Sequence, residues 1–357
     1  MLTAAAIRRR LDKLDRLLQD EYKPAHPKPT RDWSSYETQW RRRLQGAARE
    51  LAPLVHQACD FETVRGPGRR PAVALHQRVL MLLLKTLFGK SNRVMANLLV
   101  FFGLLAGIDV SYKTVERLYS DAEVAVALEN LHRLMLDSRG VEVSDCSGDG
   151  TGYGLSITRH YASTAAKQRE KAKENPVDRT GGDSPNPKKV KRWVYSFRLL
   201  DLRTRMFIAT GTSLRSEREA YDRALVYLHR IGVSVDSVRL DRLYSHPGDA
   251  QKFPAAWFYV IPRKNIAHLP LHDGWLRSMR AFVEDTIGYL ERYYQRQHSE
   301  AAFGADKRLL GWTLAQRRED RLDTAAKTHL AWHNLVNLHG PDHTLAPPLA
   351  LSNHATA

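Results

Sequence analysis

Val141-Glu-Val-Ser-Asp-Cys-Ser-Gly-Asp-Gly-Thr-Gly152 is the stretch on which the fold turns. Upstream, apolar residues recur at helical spacing. From Val141 to Cys146 they alternate, as along a strand with one buried face. The run Gly148-Asp-Gly-Thr-Gly152 is expected to end that strand in a turn, with Leu155-Ser-Ile-Thr158 as a short continuation. Further on, Trp193–Leu200 and Met206–Thr210 read as strands around a turn at Asp201–Thr204. Glu217–Arg230 reads as a helix with Ala220, Leu225 and Leu228 toward a core. Val233–Leu240 alternates as a fourth strand ending at Asp241, Trp257–Ile261 is a fifth, and Leu276–Leu310 is one long helix or two joined ones. This order predicts an α/β domain over residues 141–339 with a mixed five-stranded sheet. Residues 166–192 are basic, lack aromatic residues and cannot fold alone, so a mobile excursion between strands is expected there. The Pro-, His- and Ala-rich residues 340–357 read as a flexible tail.

The first 140 residues read as all-α. In residues 1–65, Ile7, Leu11, Leu14 and Leu18 share one helix face. That face suits docking or dimerisation, while Arg8-Arg9-Arg10 suits an arm on DNA. Gly66–Pro71 is a basic hinge opening residues 66–140. There a helix from Asn92 to Phe102, a turn at Gly103-Leu-Leu-Ala-Gly107 and a Ser111-capped helix Tyr112–Tyr119 make a helix-turn-helix candidate. Lys113, Thr114 and Arg117 would face out from its second helix. A simple packed hairpin has the same pattern.

Composition narrows the function. The 357 residues include 55 Lys and Arg against 39 Asp and Glu, a formal charge of +16. Such a surplus repels itself unless a polyanion offsets it, so nucleic acid is the first partner to consider and an anionic membrane surface the second. Two cysteines, Cys59 and Cys146, rule out a disulfide scaffold and a thiolate zinc site. The start of the chain, Met1–Leu18, is amphipathic and charged, unlike a secretory signal. The apolar runs Val79–Phe88 and Val94–Val110 are too short or too interrupted to span a bilayer. No amphipathic helix combines Lys or Arg with Trp or Phe anchors, so a membrane partner is not expected.

Three acids sit where elements stop or turn inward. Asp149 follows the first strand, Asp241 follows the fourth, and Glu300 lies within the late helix. If the first and fourth strands pair in parallel, Asp149 and Asp241 emerge side by side at one sheet edge. A helix beside them would add Glu300. Three such carboxylates repel unless cations intervene, and two Mg²⁺ or Mn²⁺ would turn the cluster into a phosphoryl-transfer site. Each acid also suits a plain turn or cap, and Asp145 competes with Asp149 as the first ligand. Tyr293, Arg296, Glu300 and Lys307 fall at i, i+3, i+7 and i+14, within about 60° of one helix face. His246 and His298 lie near these acids in sequence with no role assigned.

The spacing Tyr293-x₂-Arg296-x₃-Glu300-x₆-Lys307 resembles the Tyr-Arg-Glu-Lys signature of IS4-type insertion-sequence transposases. Gly148-Asp149-Gly150-Thr151-Gly152 is similar to the segment that carries their first catalytic Asp, and Asp241-Arg-Leu-Tyr244 to the segment carrying the second. Thr328–Leu338 is similar to their closing helix. The resemblance implies an RNase H-like catalytic domain in which Asp149, Asp241 and Glu300 are catalytic and bind two Mg²⁺ or Mn²⁺. It implies a homodimer that cuts inverted-repeat ends and joins them to target DNA, with Tyr293, Arg296 and Lys307 on the DNA end. It also implies a prokaryotic, cytoplasmic, nucleoid-associated protein. Too few positions separate Asp241 from Glu300 for the large β-rich insertion of some relatives. Trp257 and Trp312 have the chemistry to stack a flipped base, though core packing explains them more simply. An inactive DNA-binding descendant and an RNase H-like nuclease are the alternatives. Affinity for duplex DNA is expected to fall steeply with salt, each neutralised phosphate adding about 0.9 to the log–log slope. A salt titration of binding that stays flat would overturn the nucleic-acid expectation.

Overall fold

The computed structural model describes residues 2–27, 32–62, 73–106, 110–155, 193–266, 269, 272–314, 316 and 318–345, with backbone alone for 100–106. The expected hinge at 66–71 and excursion at 166–192 lie outside the described residues. Helix α1 (Ala4–Leu17) starts at Thr3, whose hydroxyl accepts from the Ala6 amide. Ile7 and Leu11 are buried, and the Arg10 Nε donates to the Val283 carbonyl at 3.0 Å. The apolar face therefore docks within the chain, leaving Arg8 and Arg9 exposed.

Helices α2 (Trp33–Ala58), α3 (Leu75–Phe88) and α4 (Asn92–Ala106) follow. Helix α4 runs on through Gly103, where a turn was expected. Helix α5 (Tyr112–Arg117) is capped by Ser111 and tightens into a 3₁₀ turn at Leu118–Ser120. The expected eight-residue helix is thus a six-residue one, because Leu118 and Tyr119 turn into the core. The Tyr119 hydroxyl accepts from the buried Lys85 ammonium at 2.8 Å. Helix α6 (Ala122–Ser138) is capped by Asp121, and Asp121 and Glu123 both pair with Arg78 of α3.

Among the described residues the sheet has six strands rather than five. They are β1 (Val143–Leu155), β2 (Trp193–Asp201), β3 (Phe207–Ser213), β4 (Ser234–Arg239), β5 (Trp257–Tyr259) and β6 (Thr313–Leu314). The order is β3-β2-β1-β4-β5, with β6 also beside β1. Strands β1, β2 and β3 are antiparallel neighbours, while β4 and β6 run parallel to β1 and β5 parallel to β4. A two-residue strand such as β6 has no period to read. Strand β1 also overturns the expected turn, since it continues through Gly148-Asp-Gly-Thr-Gly152. Glycine usually weakens a strand. Here the alternation gives Gly148, Gly150, Gly152 and Gly154 one face and Ser147, Asp149, Thr151 and Tyr153 the other.

The glycine face is pressed closely. A Cβ on Gly148 would lie 2.6–2.8 Å from Leu240, Phe197 and Leu199, and one on Gly150 would strike Glu217. Glu217 opens helix α7 (Glu217–Ile231), which covers this side and is capped by Ser216. The opposite side is covered by the late helices. These are α8 (Asp273–Glu284), α9 (Thr286–Tyr293), α10 (Gln297–Leu310) and α11 (Glu319–Asn337). The expected long helix is broken at Asp285, which caps α9, and at a 3₁₀ turn over Tyr294–Arg296.

Under α10 lies a buried ionic cluster. Arg198 of β2 pairs with Asp306 of α10 at 2.5 Å, and the Asp306 carboxylate also meets His333 of α11 at 2.6 Å. Burial works against the Asp306 charge, but His333 and Arg198 hold the carboxyl below its ordinary range. The expected tail begins as a docked segment, since Arg139 and Arg203 both pair with Asp342. Gly148→Ala is expected to cost about 1–3 kcal/mol through overpacking. Gly154→Ala, whose nearest neighbour would be Thr313 at 3.6 Å, is the control. Equal unfolding midpoints for the two variants in denaturant would overturn this account of β1.

Candidate active site

Strands β1 and β4 pair in parallel, with Ser147 opposite Arg239. Asp149 lies two residues beyond Ser147, and Asp241 two beyond Arg239, so both reach the same edge. Asp241 accepts from the Arg242 amide at 2.6 Å, holding the turn after β4. Across the edge, Ser147 hydrogen-bonds Ser299, which fastens the start of α10 to β1 and brings the adjacent Glu300 over the sheet.

Arg296 is the centre of this group. Its Nη2 is 3.0 Å from Glu300 Oε1 and 3.8 Å from Asp241 Oδ1. Its side chain is 18% exposed, whereas those of Asp241 and Glu300 are 46% and 51% exposed. Burial opposes the guanidinium charge, but Tyr293, Asp241, Glu300 and Asp149 together raise its pKa. Asp149 behaves oppositely. Burial chiefly pushes its carboxyl up to about 6, and the charges of Glu300 and Asp241 add to this. Arg296 and the Gly150 amide, which donates to Asp149 Oδ1 at 3.0 Å, pull the other way.

The three acids thus feel one another. Their donor oxygens are hard, the kind that Mg²⁺ and Mn²⁺ take. Among the described residues, no three His, Cys, Asp or Glu side chains surround one point closely enough to hold an ion. Arg296 stands between two of the acids and supplies the positive charge. Asp145 lies apart from them: its carboxylate accepts from the Ser237 hydroxyl and lies 3.7 Å from Arg239.

Two residues of the four-residue stripe are not presented outward. Tyr293 is buried, its ring 5.7 Å from the Arg296 guanidinium, and burial pushes its phenol up to about 12. Lys307 is also buried: its ammonium donates to Thr151 Oγ1 at 2.5 Å and to the Gly152 carbonyl at 3.0 Å. Both were expected on a DNA end; in the structure Tyr293 lies against Arg296, and Lys307 against β1. Lys113 and Arg117 are exposed on α5, and Glu116 between them pairs with Arg321 of the late helix α11 at 2.6 Å. His246 caps the turn at Gly248, and His298 is beside Arg205 and His343. Trp257 stacks on Tyr259 under Arg277. Trp312 is 63% exposed rather than in the core, with the Lys307 ammonium 5.0 Å from its ring.

The sequence reading missed Glu217 and Ser299. Glu217 Oε1 accepts from the Tyr244 hydroxyl at 2.8 Å beneath Gly150. An acid in the first turn of a helix is so common that it carried no signal.

A carboxylate-lined edge of a mixed α/β sheet, in a strongly cationic chain, defines a site suited to phosphate chemistry. No family model and no solved structure matches the chain. It is, however, 40% identical over 343 residues to the "probable transposase for insertion sequence element ISA1214" of Archaeoglobus fulgidus, covering 94% of this chain and 96% of that protein. The chain belongs to the transposases of insertion sequence elements. Among the described residues no helix is long and apolar enough to cross a membrane.

A raised carboxyl pKa works against the fold when the group is ionised. The stability linked to Asp149 is full below about pH 3.8 and is lost as pH rises through about 6. Asp149→Asn is therefore expected to be more stable than the parent at pH 7.5 in EDTA, by on the order of 1 kcal/mol after allowing for partial solvation. The gain should shrink as pH falls below 6. A melting-temperature difference that does not change with pH would overturn the assignment.

Proposed function

We propose that this chain is an IS4-type DDE transposase with an RNase H-like catalytic domain. Asp149, Asp241 and Glu300 are its catalytic carboxylates, and two Mg²⁺ or Mn²⁺ ions are its cofactor. The observation that carries this reading is the parallel pairing of β1 with β4, which leads Asp149 and Asp241 to one edge beside Arg296 and Glu300. The relationship to an insertion-sequence transposase supports it.

Bound ions would lower the pKa of the attacking water and offset the charge that builds on the phosphate. Water adds to the phosphorus at an inverted-repeat end, the deoxyribose 3′-oxygen leaves and takes up a proton. That 3′-hydroxyl then attacks a phosphodiester of the target, losing its proton as a target 3′-oxygen departs. Arg296, held from behind by Tyr293, binds the scissile phosphate when the carboxylates turn to the ions. Lys307 keeps Thr151 and Gly152 in register and so holds β1 for Asp149. Lys113 and Arg117 contact the duplex of the inverted repeats. Two ends must meet, so the working form is a homodimer on DNA, in the cytoplasm on the nucleoid.

The test uses the DNA on either side of the gene. Labelled flanks with Mg²⁺ or Mn²⁺ are expected to be cut at discrete positions, and Glu300→Gln is expected to abolish cutting, by at least 10³-fold, while keeping DNA affinity. Binding to these flanks without cuts by both proteins would favour a DNA-binding descendant. Cuts retained in Glu300→Gln would remove Glu300 from the site.

A further inference from the structure

We infer that Glu217 and Tyr244 form a positioning pair that sets the spacing between Asp149 and Asp241 from the opposite face of the sheet. The inference rests on the reading of those two acids as metal-binding residues.

Three contacts make a continuous path between the two acids. The first is at β1. A Cβ on Gly150 would stand 2.5 Å from both carboxylate oxygens of Glu217, so that carboxylate lies directly against the backbone of the residue after Asp149. The second is the hydrogen bond from the Tyr244 hydroxyl to Glu217 Oε1 at 2.8 Å. The third is the turn after β4, in which the Tyr244 amide donates to the Asp241 carbonyl at 2.9 Å. One end of the path moves with Asp149 and the other with Asp241.

Both members are themselves fixed. Tyr244 is fully buried, with its ring 4.7 Å from that of Tyr221 and 5.4 Å from that of Phe197. Glu217 sits in the first turn of α7, where the helix dipole favours a negative charge. The neighbouring Arg218 pairs with the fully buried Asp249 and lies over the Tyr221 and Tyr244 rings. The start of α7 is therefore pinned on two sides, and the Glu217 carboxylate has little freedom. Gly150 has no side chain of its own, and the Glu217 carboxylate occupies the space that a Cβ there would take. Groups that orient metal-binding residues in this way typically affect metal affinity 10–100-fold.

The experiment measures Mn²⁺ binding to the full chain by electron paramagnetic resonance, with no DNA and no turnover. Wild type is expected to bind Mn²⁺ at a site lost in Asp149→Asn. Glu217→Ala and Tyr244→Phe are each expected to weaken that site about tenfold. Glu217→Gln, which keeps an oxygen for Tyr244 and the volume against Gly150, should recover most of the affinity. Melting curves of each variant confirm that binding is read on folded protein. If Glu217→Ala binds Mn²⁺ as tightly as wild type, or if Glu217→Gln is as weak as Glu217→Ala, the pair is not a positioning device. If wild type has no Mn²⁺ site that depends on Asp149, the metal-binding reading falls and the pair falls with it.

Discussion

Leu240, Phe197 and the Glu217 carboxylate at the start of α7 can lie close against the back of β1 only because Gly148 and Gly150 carry no Cβ there. This one constraint organises the candidate site. It lets Leu240 and Phe197 fill the space behind Asp149 and lets Glu217 reach the strand backbone. It also commits every functional side chain of β1 to the other face, toward α10. Ser147, Asp149, Thr151 and Tyr153 point to the helix that carries Ser299, Glu300 and Lys307. The strand is thus a plate with packing on one side and chemistry on the other.

The second organising element is ionic. Arg198 stands opposite Asp149 in the β1–β2 ladder and is wholly buried against Asp306 and His333. A lone guanidinium there would be very costly, so β2, α10 and α11 are coupled: removing one partner leaves a buried charge unmatched. The same helix α10 presents Glu300 two turns earlier. The position of Glu300 over the sheet therefore depends on a charge pair beneath the sheet surface as well as on the Ser147–Ser299 link.

Much of this was legible in the sequence. The approach of Asp149 and Asp241 to one sheet edge and the i, i+4 contact of Arg296 with Glu300 could be read ahead, because strand ends and helix faces follow simple periods. The continuation of β1 was not legible, since alternate glycines look like a turn until the side chains packed on them are known. The burial of Tyr293 and Lys307 was not legible, because polar and charged tips suggest the surface while their stems and rings are buried. In the recognition-helix candidate Lys113 and Arg117 are exposed, while Leu118 and Tyr119 are drawn inward and shorten the helix. Glu217 was invisible because nothing local distinguishes it from an ordinary first-turn acid.

Helix α11 is buried along most of its length and joins distant parts of the chain. Thr328 bonds Thr86 of α3, Trp332 donates to the Leu83 carbonyl, Lys327 pairs with Glu129 of α6, and Asn334 exchanges hydrogen bonds with Phe207 of β3. Residues 319–337 are therefore the segment around which the earlier helices and the sheet close. During synthesis, the faces of α3, α6 and β3 wait, uncovered, until residues 319–337 have left the ribosome.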